Sequence, residues 1–183
     1  VLGDEYVVTP LPNGLMMAVV DGLGHGAEAA AVAALAVETL SANASLPVPE
    51  ILARCHERLR GTRGATVSVA SFDYDSDVLT WSGLGNVMGV LLRADPATRP
   101  RVESLVQRAG VLGSGWPSMI ASRVPVRHGD LVVLATDGIS PGFEDSVDRG
   151  RHAQDVADRI VTDRAKHTDD AMVLAARYLG AQP

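Results

Sequence analysis

Short apolar runs bounded by turn residues fill most of the chain, and in three places they give way to longer stretches of helical character. Tyr6–Leu11 and Leu15–Val20 are strand-like runs on either side of Pro12-Asn13-Gly14, a strong hairpin signal. His25–Leu40 is alanine-rich with few breakers and predicts a helix ended near Ser41–Pro49. Pro49–Arg60 predicts a second helix, with proline near its start. Ala65–Phe72, Val78–Gly83, Val87–Arg93 and Arg101–Gln107 follow as strand candidates, and the Gly- and Ser-rich stretch Arg108–Pro125 has no clear period. Leu131–Thr136 is continuously apolar, as expected of a buried strand. Ala153–Ala165 predicts a third helix and Ala171–Tyr178 a closing strand.

Helices set apart from a long run of strands, without strict strand–helix alternation, predict an α+β fold in which helices cover sheet faces. With no repeat or linker, the expectation is one domain over residues 1–183. The 183 residues are 46% hydrophobic and 21% charged, which predicts a folded core, and only 4% are aromatic, so Ala, Val and Leu must supply most of the packing. A lone cysteine, Cys55, excludes an internal disulfide and fits a reducing cytosol. The most apolar region, Leu15–Leu40, is broken by Asp21, His25, Glu28 and Glu38, so no membrane span is expected. No basic-then-apolar leader opens the chain. The expectation is a soluble cytoplasmic protein. A formal net charge of −6 argues against nucleic acid and suits carboxylates gathered to bind cations.

Four acidic motifs carry the candidate chemistry: Gly3-Asp4, Asp21-Gly22-Leu23-Gly24-His25-Gly26, Thr136-Asp137-Gly138 and Asp169-Asp170. With Asn13-Gly14 as the two-residue turn, Asp21 faces Tyr6 and Asp4 lies two residues further on. Both acids then share one face at one sheet end. Asp137 ends a buried strand and Asp169-Asp170 begins the last one, so an antiparallel pairing of those strands would bring their acidic ends together too. Converging carboxylates repel unless a proton or cation intervenes. An oxygen-only cluster suits hard divalent cations. Gly22 and Gly138 would let backbone approach the metals, and the Gly22 carbonyl is itself a candidate ligand.

Gly3-Asp4, Val19-Val20-Asp21-Gly22-Leu23-Gly24-His25-Gly26, Gly83-Leu84-Gly85-Asn86, Gly129-Asp130-Leu131, Ala135-Thr136-Asp137-Gly138-Ile139 and Thr168-Asp169-Asp170-Ala171 together resemble the metal-dependent protein phosphatases of type 2C. The resemblance is nearest to the SpoIIE-like branch and its stressosome members, and spans nearly the whole chain. It implies an α-β-β-α sandwich of two mainly antiparallel sheets, with two manganese or magnesium ions between them at one end. Asp21 would bridge the ions, the Gly22 carbonyl would join one, and Asp137 and Asp169 would complete the other site. Asp4 would bind the first ion directly or through water, and Asp170 would stand just behind the ligands. The implied reaction is hydrolysis of phosphoserine or phosphothreonine on a partner protein by a metal-activated water, with no part for Cys55. The implied partner is a STAS-domain protein of bacterial stress signalling. Where eukaryotic members have a histidine two residues after the bridging acid, this chain has Leu23. His25 and Arg63 are the candidates for leaving-group protonation and phosphate contact.

Two rival readings follow from the same residues. Gly22, Gly24 and Gly26 suggest a dinucleotide loop, but the spacing is Gly-x-Gly-x-Gly and an aspartate leads it, which would repel a pyrophosphate. A catalytically weak pseudophosphatase that only binds a partner would be expected to lack one or more metal acids, and Asp21, Asp137 and Asp169 are all present.

Overall fold

The structure, a computed structural model, describes residues 3–115, 119–166 and 169–180. Thr168, quoted above beside Asp169, lies outside the described residues. The chain opens with a hairpin of β1 (Asp4–Leu11) and β2 (Gly14–Gly22), followed by helices α1 (Ala27–Ala42) and α2 (Val48–Arg58). Strands β3 (Ala65–Asp73), β4 (Val78–Leu84), β5 (Met88–Leu92), β6 (Val102–Ser104), β7 (Gln107–Arg108), β8 (Ser122–Pro125) and β9 (Leu131–Ala135) come next. A short 3₁₀ turn at Phe143–Ser146, helix α3 (Ala153–Arg164) and strand β10 (Val173–Arg177) complete the order. No helix among the described residues is long and apolar enough to cross a membrane.

The strands form two sheets. The first runs β1-β2-β3-β4-β7, with β8 also on β4, and the second runs β10-β9-β5-β6. All pairings are antiparallel except β4 with β7. Side-chain alternation divides the apolar residues among three cores. On β2, Met16, Ala18 and Val20 face α1 and α2, where they meet Val32, Ala33, Ala36, Leu40, Ile51 and Leu52. Met17 and Val19 face the other way, into a layer between the sheets with Phe72, Trp81, Val132 and Leu134. On β9 the odd residues Leu131, Val133 and Ala135 pack with Val156 and Ile160 of α3. Both faces of β9 are therefore buried, which explains its unbroken apolar run. The result is the expected α-β-β-α sandwich.

Two sequence expectations need correction. The hairpin turn is Pro12-Asn13, and Leu11 pairs with Gly14, so Asp21 lies directly opposite Asp4 and not Tyr6. Gly14 is needed for packing, because a Cβ there would sit 2.1 Å from the Phe72 carbonyl oxygen. Pro12 presets the backbone for the first central position of an ordinary turn instead. The second correction concerns Arg101–Gln107, which is not one strand. β6 lies in the second sheet and β7 in the first, and buried Leu105 marks the crossing between them. The unassigned stretch after it contributes β8.

The end of β9 away from Asp137 is fixed by a buried ion-pair node. Asp130 accepts from Arg93 Nη1 at 2.8 Å, from the Ala94 amide at 2.9 Å and from the Arg127 amide at 3.0 Å. Arg93 also binds Glu103 and donates to the Pro125 carbonyl at 2.7 Å. The Gly129-Asp130 motif thus works as a joint in the framework.

Candidate metal centre

Alternation along β2 sends Asp21 to the same side as Met17 and Val19, into the layer between the sheets. Its neighbours across the sheet are Asp4 on β1 and Thr66 on β3. Directly opposed residues of this kind have Cα atoms about 4.5–5.5 Å apart, closer than the diagonal spacing that the sequence suggested. On the facing sheet Thr136 continues the inward row of Val132 and Leu134. Its hydroxyl donates to Asp4 Oδ2 at 2.7 Å and accepts from the Met172 amide at 2.9 Å. That one side chain ties the two sheets together beside the acids.

Asp137 follows directly. Asn86, in the connection from β4 to β5, donates through Nδ2 to Asp137 Oδ2 at 2.6 Å and accepts from Thr66 Oγ1 at 2.5 Å. The antiparallel pairing of β9 with β10 brings Asp169 and Asp170 to the same end. Asp170 Oδ2 accepts from the Gly3 amide at 2.7 Å, and the Gly3 carbonyl accepts from the Gly22 amide at 3.0 Å. Asp170 therefore secures the segment that carries Asp4. Asp169 is exposed. The Lys166 ammonium caps the main-chain carbonyl of Asp137 at 2.6 Å.

The glycines beside the acids serve close backbone packing. A Cβ on Gly22 would lie 2.2 Å from the Ala29 carbonyl of α1, and one on Gly138 would lie 1.8 Å from the Asp170 carbonyl. Main chain presses on main chain at both places, and this holds the acidic segments together.

Electrostatics record the crowding. Burial raises the Asp4 carboxyl to about 6, with Asp170, Asp137 and Asp169 adding repulsion and the Thr136 hydrogen bond opposing it. Burial, then the charges of Asp4 and Asp137, raise Asp21 to about 7 against a hydrogen bond from Asn86. None of the five acids forms an ion pair with a described residue. Among the described residues no three acidic, histidine or cysteine side chains are drawn in as a ready ligating group. Repelling carboxylates without a counter-charge do not close on one another. The donor set nevertheless fits hard divalent cations. It is carboxylate and carbonyl oxygen throughout, partly desolvated, and costly to ionise unless a positive charge is supplied.

The remaining sequence candidates lie near this rim or buried away from it. His25 is exposed in the loop between β2 and α1. Arg63 pairs with Glu28 in the first turn of α1 and lies over Gly24, where a Cβ would come within 2.6 Å of its Nη1. Cys55 is fully buried on α2, and burial pushes its thiol up to about 12, so no thiolate is available for attack. Sequence pattern alone gave no role to Thr66, Asn86, Thr136 or Lys166. The usable signals were the place of Thr136 immediately before Asp137 and of Asn86 directly after Gly85, whereas the position of Thr66 across from Asp21 appears only in the folded sheet.

The chain is 25% identical over 174 residues to the phosphoserine phosphatase RsbX of Bacillus subtilis (strain 168), covering 93% of this chain and 84% of that protein. A solved structure from the bacterial stressosome, described as a modular system adapted to control secondary messenger signalling, superposes with a TM-score of 0.86. It is 27% identical and covers 97% of this chain and 92% of its own. RsbX in complex with magnesium matches with a TM-score of 0.83 at 22% identity, over 96% and 86% of the two chains, a likeness of fold. The family model described as Stage II sporulation protein E (SpoIIE) matches residues 12–179. The chain belongs to the SpoIIE family of PP2C-type phosphatases.

Proposed function

We propose that this phosphatase hydrolyses phosphoserine or phosphothreonine on a partner protein, with two manganese or magnesium ions held by the acidic rim. Asp21, the Gly22 carbonyl, Asp137 and Asp169 would hold the ions, Asp4 would serve them directly or through water, and Asp170 supports the site from behind by holding Gly3. The observation that carries this reading is the meeting of Asp4, Asp21, Asp137 and Asp169 at one end of the sandwich, where Asp4 and Asp21 are held above the usual carboxylate range.

Bound divalent cations supply an acidified water and neutralise charge on the phosphoryl oxygens. The chain supplies position. Thr136 orients Asp4, Asn86 orients Asp137, and β2 and β9 keep Asp21 and Asp137 on facing sheets. Attack by water needs no protein nucleophile, in keeping with the inert Cys55 thiol. The likeness to the phosphoserine phosphatase RsbX and to the stressosome structure supports a phosphoserine substrate in signalling. The STAS-domain partner of stress signalling and the cytoplasmic site of action are what the family resemblance of the sequence motifs implies. An overall net charge of −6 favours a protein partner over nucleic acid.

Phosphate release from a phosphorylated STAS-domain protein, with and without manganese, tests the reading. The wild-type chain releases phosphate only with metal. Asp21→Asn loses at least ~100-fold, beyond the 10–100-fold typical of residues that merely support a metal ligand. A wild-type chain that binds the partner but releases nothing would mark it as a pseudophosphatase.

A further inference from the structure

Asn86 stands in the connection from β4 to β5, where the chain passes from one sheet to the other, and bonds Asp137 on one side and Thr66, the cross-strand neighbour of Asp21, on the other. Its Nδ2 donates to Asp137 Oδ2 at 2.6 Å. Its Oδ1 accepts from Thr66, the residue directly opposite Asp21 on β3, so one side chain links the Asp137 end of one sheet to the Asp21 end of the other. An amide can be turned either way, and only one orientation presents donors to carboxylates. Thr66 selects that orientation, because its hydroxyl donates to Asn86 Oδ1 at 2.5 Å. Thr66 is itself fixed as the cross-strand partner of Asp21 on β3, and it is almost fully buried. Gly85 brings this about. Its φ of +84° is open to glycine at little cost, and a Cβ there would meet Thr66 Cγ2 at 2.2 Å.

We infer that Asn86, oriented by Thr66, is a positioning residue that sets the spacing between Asp21 and Asp137 and so prepares the acidic rim to take its ions. The inference rests on the function proposed above and adds to it the device that prearranges the ligands. Asn86 is neutral, so it brings two anionic side chains to fixed places without competing for the cation or repelling it. A lysine or arginine at this position would neutralise the charge that binds metal, and an acid would add to the repulsion.

The test is calorimetric titration of manganese into metal-free protein, which does not depend on turnover. Asn86→Ala weakens manganese binding by about tenfold or more, the range for residues that orient metal ligands. Thr66→Val weakens it less, and Thr66→Ser, which keeps the hydroxyl, restores it. The double variant Asn86→Ala/Thr66→Val binds no more weakly than Asn86→Ala alone, because Thr66 acts through the amide. Urea midpoints in chelator serve as the fold control: the two bonds lost in Asn86→Ala lower its midpoint, but the variant stays fully folded under the titration conditions. Manganese affinity in Asn86→Ala within twofold of wild type would overturn the inference. So would effects of the two substitutions that simply multiply, or affinities that follow the urea midpoints from variant to variant, with Thr66→Val and Asn86→Ala on one line. If wild-type protein bound no manganese, the proposed function would fall first, an outcome separable from all the others.

Discussion

Replacing Thr136 by Val keeps the shape of a fully buried side chain and removes only its hydroxyl. Two bonds go with it, the one donated to Asp4 Oδ2 and the one accepted from the Met172 amide. A hydrogen bond to a charged group contributes about 1.5–3 kcal/mol and orphaning the half-buried Met172 amide costs about 1 kcal/mol, so a loss of about 3 kcal/mol is expected at pH 8. The loss should depend on pH. Asp4 ionises at about 6 in the fold, so at pH 5 it is mostly neutral and the bond it accepts is an ordinary one near 1 kcal/mol. The penalty at pH 5 should therefore be smaller by about 1 kcal/mol, which corresponds to a further rise of somewhat under one unit in the Asp4 pKa. Urea unfolding of the metal-free variant and parent at the two pH values reads both quantities. A penalty below about 1 kcal/mol at both pH values, or one of equal size at each, would refute the cross-sheet role given to this hydroxyl.

Three further outcomes are expected. Asp4 and Asp21 ionise at about 6 and about 7 in the fold against 3.8 when exposed, so their contribution to stability is complete below 3.8 and is lost as pH rises through 6 and 7. Metal-free protein should accordingly melt lower at pH 8 than at pH 5, with Asp21→Asn flattening the trend and saturating manganese removing it. Gly138→Ala sets a methyl 1.8 Å from the Asp170 carbonyl, so the two acidic segments must part. A stability loss of about 1–3 kcal/mol in urea is expected, with weaker manganese binding by calorimetry. Asp130→Ala leaves the buried Arg93 guanidinium with Glu103 as its remaining carboxylate partner and orphans the Ala94 and Arg127 amides, which should cost about 2–4 kcal/mol in urea. Folded protein keeps its manganese affinity because Asp130 lies at the opposite end of β9 from Asp137.

The acidic rim was readable in the letters because strand faces obey parity. The hairpin register expected from Asn13-Gly14 was off by two positions, yet a shift of two leaves every side chain on its own face, so Asp4 and Asp21 stayed together. The glycine that suggested the wrong turn serves a contact with Phe72, which no local pattern reveals. β9 was legible from its unbroken apolar run, whereas its place between β5 and β10 was not, since strand order depends on contacts distant in sequence. The division of Arg101–Gln107 between two sheets was hidden for the same reason. Thr66, Asn86 and Thr136 were overlooked because a threonine or asparagine inside a strand-rich region has no signature of its own. Their roles arise only when the sheets face one another.

The two sheets differ in how they grip their acids. Asp21 lies on β2 and Asp137 just past the end of β9, strands flanked on both sides, whereas Asp4 lies on β1 and Asp169 precedes β10, strands that stand at sheet margins among the described residues. A cation gathered among them would work as a clasp, fastening the outer borders of the molecule to its interior. Withdrawing the ions should loosen the first and last strands ahead of everything else, and amide exchange would register that fraying while the middle of the sandwich stayed closed.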